Sequence, residues 1–311
     1  LLVGFFHYTT DFNNRFGHRP GLIFELPLGF YGVHLFFMIS GFVILMTLEQ
    51  TQNGLDFVVS RFARLYPGYW LSVIFNMALA IFYQFPMTLK DTSVKEVILN
   101  FTMLQGAFGT GILDSVYWTL QVELFFYAVM FCFYQLRWLQ KIESVAIGWL
   151  VVKMISFKWI RFQPLHVFLI LDHVHLFIAG MIFYKIYREG FSLKRLSIIG
   201  ICFLMQAWYV KDWRAMLLSA GFMAAFFLLV RGKLAFIKNP FLVYMGTISY
   251  CFYLLHHNLG YAAIRKFSEW GFNPNVNVLV TTSLFLVLAS AAAFFVEKPA
   301  QAAIKNFYEA R

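Results

Sequence analysis

Charge is what this chain has least of. Only 13% of its 311 residues are Asp, Glu, Lys or Arg, about half the share of a soluble domain, which excludes a globule surrounded by water. Cysteine is scarce as well. Cys132, Cys202 and Cys251 stand singly inside apolar runs, without the paired spacing of a disulfide framework or a thiolate metal centre, and read as small core residues. Neither an internal repeat nor a soluble domain is visible. The cluster Gly106, Gly109 and Gly111 lacks a preceding strand or a lysine signature, so it reads as a flexible loop and not as a phosphate loop. In abundance instead are apolar side chains: 60% of residues are hydrophobic and 20% aromatic, with a mean hydropathy of +0.68. That composition predicts an all-α, polytopic transmembrane helix bundle. The net charge of +10 does not form a basic stripe with interleaved aromatics, so a nucleic-acid partner is not expected. Orientation in a membrane accounts for it better.

Apolar runs give ten candidate spans, at about 1–8, 29–48, 66–86, 116–136, 144–160, 165–187, 195–210, 214–231, 240–261 and 276–296. The first is too short to cross and reads as the end of a span that begins before Leu1. With both ends in the cytoplasm, the cytoplasmic segments carry 14 Lys and Arg and the external ones 11, a bias in the direction of the positive-inside rule. The long connections 9–28 and 87–115 are then external. One transmembrane domain covers 1–311.

An ionisable group inside an apolar span costs about 2.5–3.5 kcal/mol on insertion scales, and each one therefore invites a functional reading. His7 ends the first run. Glu123 lies about 7 residues, or roughly 10 Å, below the external end of its span. His34, His256 and His257 are also placed near the external side. His7 is the best general base, since imidazole titrates near neutrality, and a buried Glu123 carboxylate is suited to orient it; a histidine bridging helices by a hydrogen bond is the alternative at each position. Arg61 and Arg64 sit three apart at the inner boundary, so on a helix they share a face and form a clamp for phosphate, against the simpler view that they only obey the positive-inside rule. Pro67 is expected in the first turn of the third span, where its missing N–H does little harm. Of His166, His173 and His175, only the last two are close in sequence, and an i,i+2 pair diverges on a helix, so no metal site is expected there. Trp118 and Tyr117 fit an interfacial aromatic belt.

Several segments in order resemble the membrane-bound acyltransferase type 3 family: LLVGFFHY with His7, GVHLFFMISGF, SRFARLYPGYW, YWTLQVELFFY with Glu123 on the motif glutamate, MGTISYCFYLLHH with His256 at the motif histidine, and FFVEKPA. The chain departs from the family in carrying His34 where an acid is frequent and in showing no appended esterase-like domain; the arginine that usually stands about three turns before the first-span histidine would fall in the part of that span before Leu1. The resemblance implies transfer of an acyl group, most often acetyl, from acyl-coenzyme A to a hydroxyl of a cell-envelope carbohydrate or glycolipid, with no metal. It implies His7 and Glu123 as catalytic, Arg61 and Arg64 as holders of the nucleotide phosphates, and Ser40, Tyr66, Trp118 and His256 as lining the acceptor pocket. Membrane lipid and the glycan are the expected partners, with a separate periplasmic acyltransferase if one is needed, and a bacterial inner membrane is the expected location. A proton-coupled transporter of an anionic solute is the rival reading; the lack of repeats speaks against it.

Overall fold

The computed structural model describes residues 1–18, 21–83, 93–159 and 162–310; the parts of the expected spans and connections at 19–20, 84–92, 160–161 and 311 lie outside them. Among the described residues every regular element is a helix. Two compact units result: one comprises Leu1–Phe30, Val58–Leu120 and Ile237–Arg311, the other Tyr31–Phe57 and Gln121–Phe236. They are called unit 1 and unit 2.

Among the described residues five helices are long and apolar enough to cross a membrane: Pro27–Gln50, Gly54–Tyr83, Leu193–Val210, Trp213–Val230 and Pro274–Glu309. Tyr117–Gln135 with Trp138–Trp159 makes a sixth if that pair, bent by 100°, is one span. Two of the ten apolar runs are interrupted helices. The run 165–187 breaks between the helices Gln163–Phe168 and Val174–Glu189, where Ile170 takes a left-handed φ of 47°. The run 240–261 breaks at His256 and His257, between Pro240–Leu255 and Asn258–Glu269.

The reading of Pro67 is corrected. It lies inside the 30-residue helix Gly54–Tyr83, well past its first turn, and Arg61 and Arg64 belong to the body of that helix and not to its entry. A proline there removes one ladder bond. Close to the break, the Tyr250 hydroxyl donates to the Leu65 carbonyl at 2.6 Å.

The described part of the connection 87–115 opens with a helix ahead of the glycine cluster. Ser93 and Glu96 form a reciprocal capping box at the start of the helix Val94–Thr102, which satisfies two orphan N–H groups. Asn100 then donates to the Gly111 carbonyl at 2.9 Å and accepts from the Leu113 N–H at 3.0 Å. The Tyr69 hydroxyl and the Trp70 indole hold the end of this helix through the carbonyls of Asn100 and Phe101. Asp114, at the end of the segment, is thereby given a fixed position.

In unit 2 the helices Gly32–Gln50 and Val174–Glu189 meet backbone to backbone. A Cβ added at Gly41 would lie 2.0 Å from the Phe177 carbonyl oxygen, and one at Gly180 would lie 1.9 Å from that of Met38, the close approach that small residues permit between membrane helices. In unit 1, Tyr8 is seated against Gly260, where a Cβ would come within 2.4 Å of its ring. Large apolar side chains face outward on the long helices, among them Phe82 at 78%, Leu204 at 68%, Val287 at 67% and Phe295 at 80% exposure, a surface that suits hydrocarbon and not water.

Candidate active site

Unit 1 brings His7 against the adjacent pair His256 and His257, which is far from it in sequence. The His7 ring centroid lies 5.2 Å from that of His256 and 4.5 Å from that of His257, and all three are buried. His7 opens a π-helical turn, His7–Asp11, a feature that recurs at functional sites. A second such turn, Ala293–Glu297, carries Glu297.

The hydrogen bonds decide which ring nitrogens carry protons. The Tyr261 hydroxyl donates to Asp11 Oδ2 at 2.5 Å, so its oxygen is left to accept. His7 Nδ1 lies 3.2 Å from that oxygen and 3.3 Å from Asp11 Oδ2, two acceptors, and must therefore be the protonated nitrogen. Nε2 keeps its lone pair. Arg15 adds a bond to the same carboxylate oxygen at 3.0 Å. Burial alone would raise the Asp11 carboxyl, but the bonds from His7, Tyr261 and Arg15 outweigh it and hold the group well below the usual carboxylate range.

His257 repeats the arrangement. Its Nδ1 donates to Asp114 Oδ1 at 2.7 Å, and Asp114 also accepts from the backbone N–H groups of Val116 and Asn258; the Ser115 hydroxyl lies 3.4 Å from His257 Nε2. His256 Nδ1 donates to the Tyr253 carbonyl at 2.7 Å, while its buried Nε2 has no hydrogen-bond partner among the described residues. His7, Asp11 and His257 each offer a ligand atom within 4.8 Å of the others, a spacing able to hold a metal ion. Asp11 Oδ2 and the Nδ1 atoms of His7 and His257 are engaged in the bonds just described.

Glu123 lies in unit 2. Its Oε1 accepts from the Ser40 hydroxyl at 3.0 Å and from the Tyr127 hydroxyl at 2.6 Å, which brings two of the expected site residues together. The carboxylate bonded to His7 is instead Asp11. It stands four residues on, a helical i,i+4 spacing legible in the sequence had the helix been expected to continue past residue 8. Asp114 and Tyr261 had no such local signal, since each meets its histidine only through the fold.

Arg61 and Arg64 are both half-buried. Arg64 is ion-paired with the buried Glu297 and lies 5.1 Å from the Tyr250 ring centroid. Glu297 also accepts from the Cys251 thiol at 2.9 Å and from Gln301 at 2.8 Å. Arg61 Nε donates to the Ser60 hydroxyl at 3.3 Å. Tyr66 donates to the Thr102 carbonyl at 3.0 Å, and Trp118 is half-buried in the first turn of Tyr117–Gln135. A cavity of about 700 Å³ in unit 2 is lined by Leu48, Glu49, Tyr134, Arg137 and Lys185. The carboxyl-terminal turns of two or more helices border it, so Arg137 and Lys185 face the negative ends of helix dipoles, a poor setting for phosphate.

A family profile described as an acyltransferase domain matches residues 1–296. The chain belongs to the type 3 acyltransferase family. It is thus a transferase of acyl groups, and its apolar helices make it an integral membrane protein. This acyltransferase is 24% identical over 274 residues, 82% of this chain and 78% of the relative, to a protein of Acidianus two-tailed virus named as an acetyltransferase, ORF330. Over 128 residues, 35% of this chain and 34% of the relative, it is 25% identical to nodulation protein 10 of Rhizobium leguminosarum biovar viciae. No solved structure matches it.

Proposed function

We propose that this acyltransferase moves an acyl group, acetyl as the first choice, from acyl-coenzyme A to a hydroxyl of a cell-envelope carbohydrate or glycolipid, from a bacterial inner membrane with both ends of the chain in the cytoplasm. The observation that carries the chemistry is the His7 ring, whose Nδ1 proton is held by Asp11 and Tyr261, leaving Nε2 as a base. In the reaction, Nε2 takes the acceptor hydroxyl proton as that oxygen attacks the thioester carbonyl carbon. The carbonyl electron pair moves to oxygen. Collapse of the tetrahedral oxyanion expels the coenzyme A thiolate, which takes the proton back from the imidazolium, so that an ester and free coenzyme A leave and His7 is neutral again. Asp11 stabilises the imidazolium between the two transfers.

Arg61 and Arg64 receive the nucleotide phosphates, with Arg64 exchanging Glu297 for the ligand. In unit 1, His256, through its unpartnered Nε2, lines the acceptor pocket with Tyr66 and Trp118. No metal takes part, and membrane lipid and the glycan are the partners, with a separate periplasmic acyltransferase where the acceptor lies beyond reach.

The test uses purified protein in neutral detergent with labelled acetyl-coenzyme A and envelope glycans analysed by mass spectrometry. His7→Ala is expected to lower transfer by about 10²–10⁴-fold, the usual worth of a positioned base, while the thermal stabilisation by acetyl-coenzyme A is retained. Full activity in His7→Ala would remove the proposed base, and no stabilisation of the unmutated protein at millimolar coenzyme would remove the donor.

A further inference from the structure

His257 shares with His7 a carboxylate on Nδ1, and it has in addition a hydroxyl on its other nitrogen. Nδ1 lies 2.7 Å from Asp114 Oδ1, and Nε2 lies 3.4 Å from Ser115 Oγ. A carboxylate only accepts, so Nδ1 carries the proton of the neutral ring and Nε2 keeps its lone pair. The Ser115 hydroxyl therefore donates to Nε2. Hydroxyl, imidazole and carboxylate stand in the order that activates a serine for attack on a carbonyl, with the looser nucleophile contact usual before a substrate is bound.

The three groups come from two places in unit 1. Asp114 and Ser115 close the connection ahead of the helix Tyr117–Gln135, and His257 is the N-cap of Asn258–Glu269. Asp114 also accepts from the backbone N–H groups of Val116 at 3.2 Å and Asn258 at 3.3 Å, and the second bond sets the carboxylate at the positive end of a 12-residue helix. The residue before it is tied from both sides: the Asn258 amide donates to the Leu113 carbonyl at 3.0 Å, and the Asn100 amide oxygen accepts from the Leu113 N–H at 3.0 Å. Such anchoring fixes the geometry before any ligand arrives.

Burial is divided as a nucleophile and its base require. His257 and Asp114 are 0% and 1% exposed, whereas Ser115 is exposed. The carboxylate already has two backbone donors, and an exposed hydroxyl gains little stability from a long hydrogen bond, so folding alone gives Ser115 little reason to face this nitrogen. The His257 ring centroid is 4.5 Å from that of His7, which puts the serine beside the proposed transfer chemistry.

We propose that Ser115 is a covalent acylation site, with His257 as its base and Asp114 as the positioning residue; the donor rests on the acyl-coenzyme A reading above. Ser115 Oγ attacks the thioester carbonyl carbon as its proton passes to His257 Nε2, and the carbonyl electron pair moves to oxygen. When that pair returns, the carbon–sulfur bond breaks. The thiolate takes the proton from His257, so coenzyme A leaves, the imidazole is neutral and Ser115 carries an acyl ester. An acceptor hydroxyl then attacks this ester as it would the thioester: its proton goes to His7 Nε2, and the departing Ser115 oxygen takes that proton back.

The experiment incubates the full chain in neutral detergent, without glycan, with acetyl-coenzyme A or with p-nitrophenyl acetate, an activated ester that needs no nucleotide site. Peptide mass spectrometry is expected to find one acetyl group, on Ser115, with release of coenzyme A or nitrophenolate that depends on Ser115. Ser115→Ala abolishes both. His257→Gln and Asp114→Asn slow labelling by about 10²–10⁴-fold, and thermal melts check that these variants are folded. Ser115→Cys keeps a nucleophile and is expected to carry the acetyl as a thioester, which hydroxylamine strips at neutral pH. Labelling by p-nitrophenyl acetate alone would count against the donor and leave this site standing, and a label that added glycans fail to remove would count against the acceptor only. No acetyl on Ser115 together with no Ser115-dependent release from either donor, or labelling at full rate in folded His257→Gln, overturns the proposal.

Discussion

A proton's position on an imidazole decides what His7 can do, and two side chains beyond the expected set decide the proton's position. With Asp11 and the Tyr261 oxygen both accepting from Nδ1, the ring has no choice of tautomer. Arg64 shows the opposite effect, in which a residue expected to await a ligand already has one. Glu297 is 2% exposed, whereas the Arg64 side chain is 39% exposed, so the pair is screened on one side only. Arg64→Ala leaves a buried carboxylate short of a donor and is expected to lower stability by about 1–3 kcal/mol, read as a lowered Tm. Glu297→Gln releases the guanidinium and is expected to lower the KM for acetyl-coenzyme A if Arg64 is the phosphate ligand. An unchanged KM would confine Arg64 to a structural role.

At the scale of helices, glycine placement and breaks matter more than hydropathy. Gly180 and Gly41 allow Val174–Glu189 and Gly32–Gln50 to touch at their backbones, and a methyl at Gly180 would meet the Met38 carbonyl with no side chain able to yield. Gly180→Ala is expected to destabilise the protein by about 1–3 kcal/mol. Gly148, with open space where its Cβ would be, serves as the comparison. Gly148→Ala in the helix Ile142–Trp159 is expected to be neutral or to gain up to about 1 kcal/mol, and equal losses at both sites in thermal melts would argue against close backbone packing. The same scale explains why two of the ten apolar runs are not single helices. An apolar run records that a segment avoids water, but a left-handed residue such as Ile170 or the break at His256 and His257 interrupts the helix without changing the run's composition.

For the whole molecule, orientation is the property to measure. With Cys132, which is exposed, replaced by serine, a cysteine at Lys238 is expected to react with an impermeant maleimide only after spheroplasts are opened. One at Phe108, which is 64% exposed, should react in intact spheroplasts. The reverse pattern would turn the chain over and place His7 nearer the cytoplasmic side.

Composition and span length determined by themselves that this is an all-helical membrane protein, because a lipid environment admits few alternatives and the water-avoiding runs record it residue by residue. The order of motifs sufficed likewise to indicate an acyltransferase. The His7–Asp11 spacing was also present, hidden only by ending the helix too early. What tertiary structure alone decided are the pairings across long separations: His257 with Asp114, His7 with Tyr261, and Arg64 with Glu297. A buried polar group must find a partner, but that requirement does not say which one. The choice depends on how helices distant in the chain are brought side by side, by contacts such as Tyr8 on Gly260 that leave no periodic trace in the sequence.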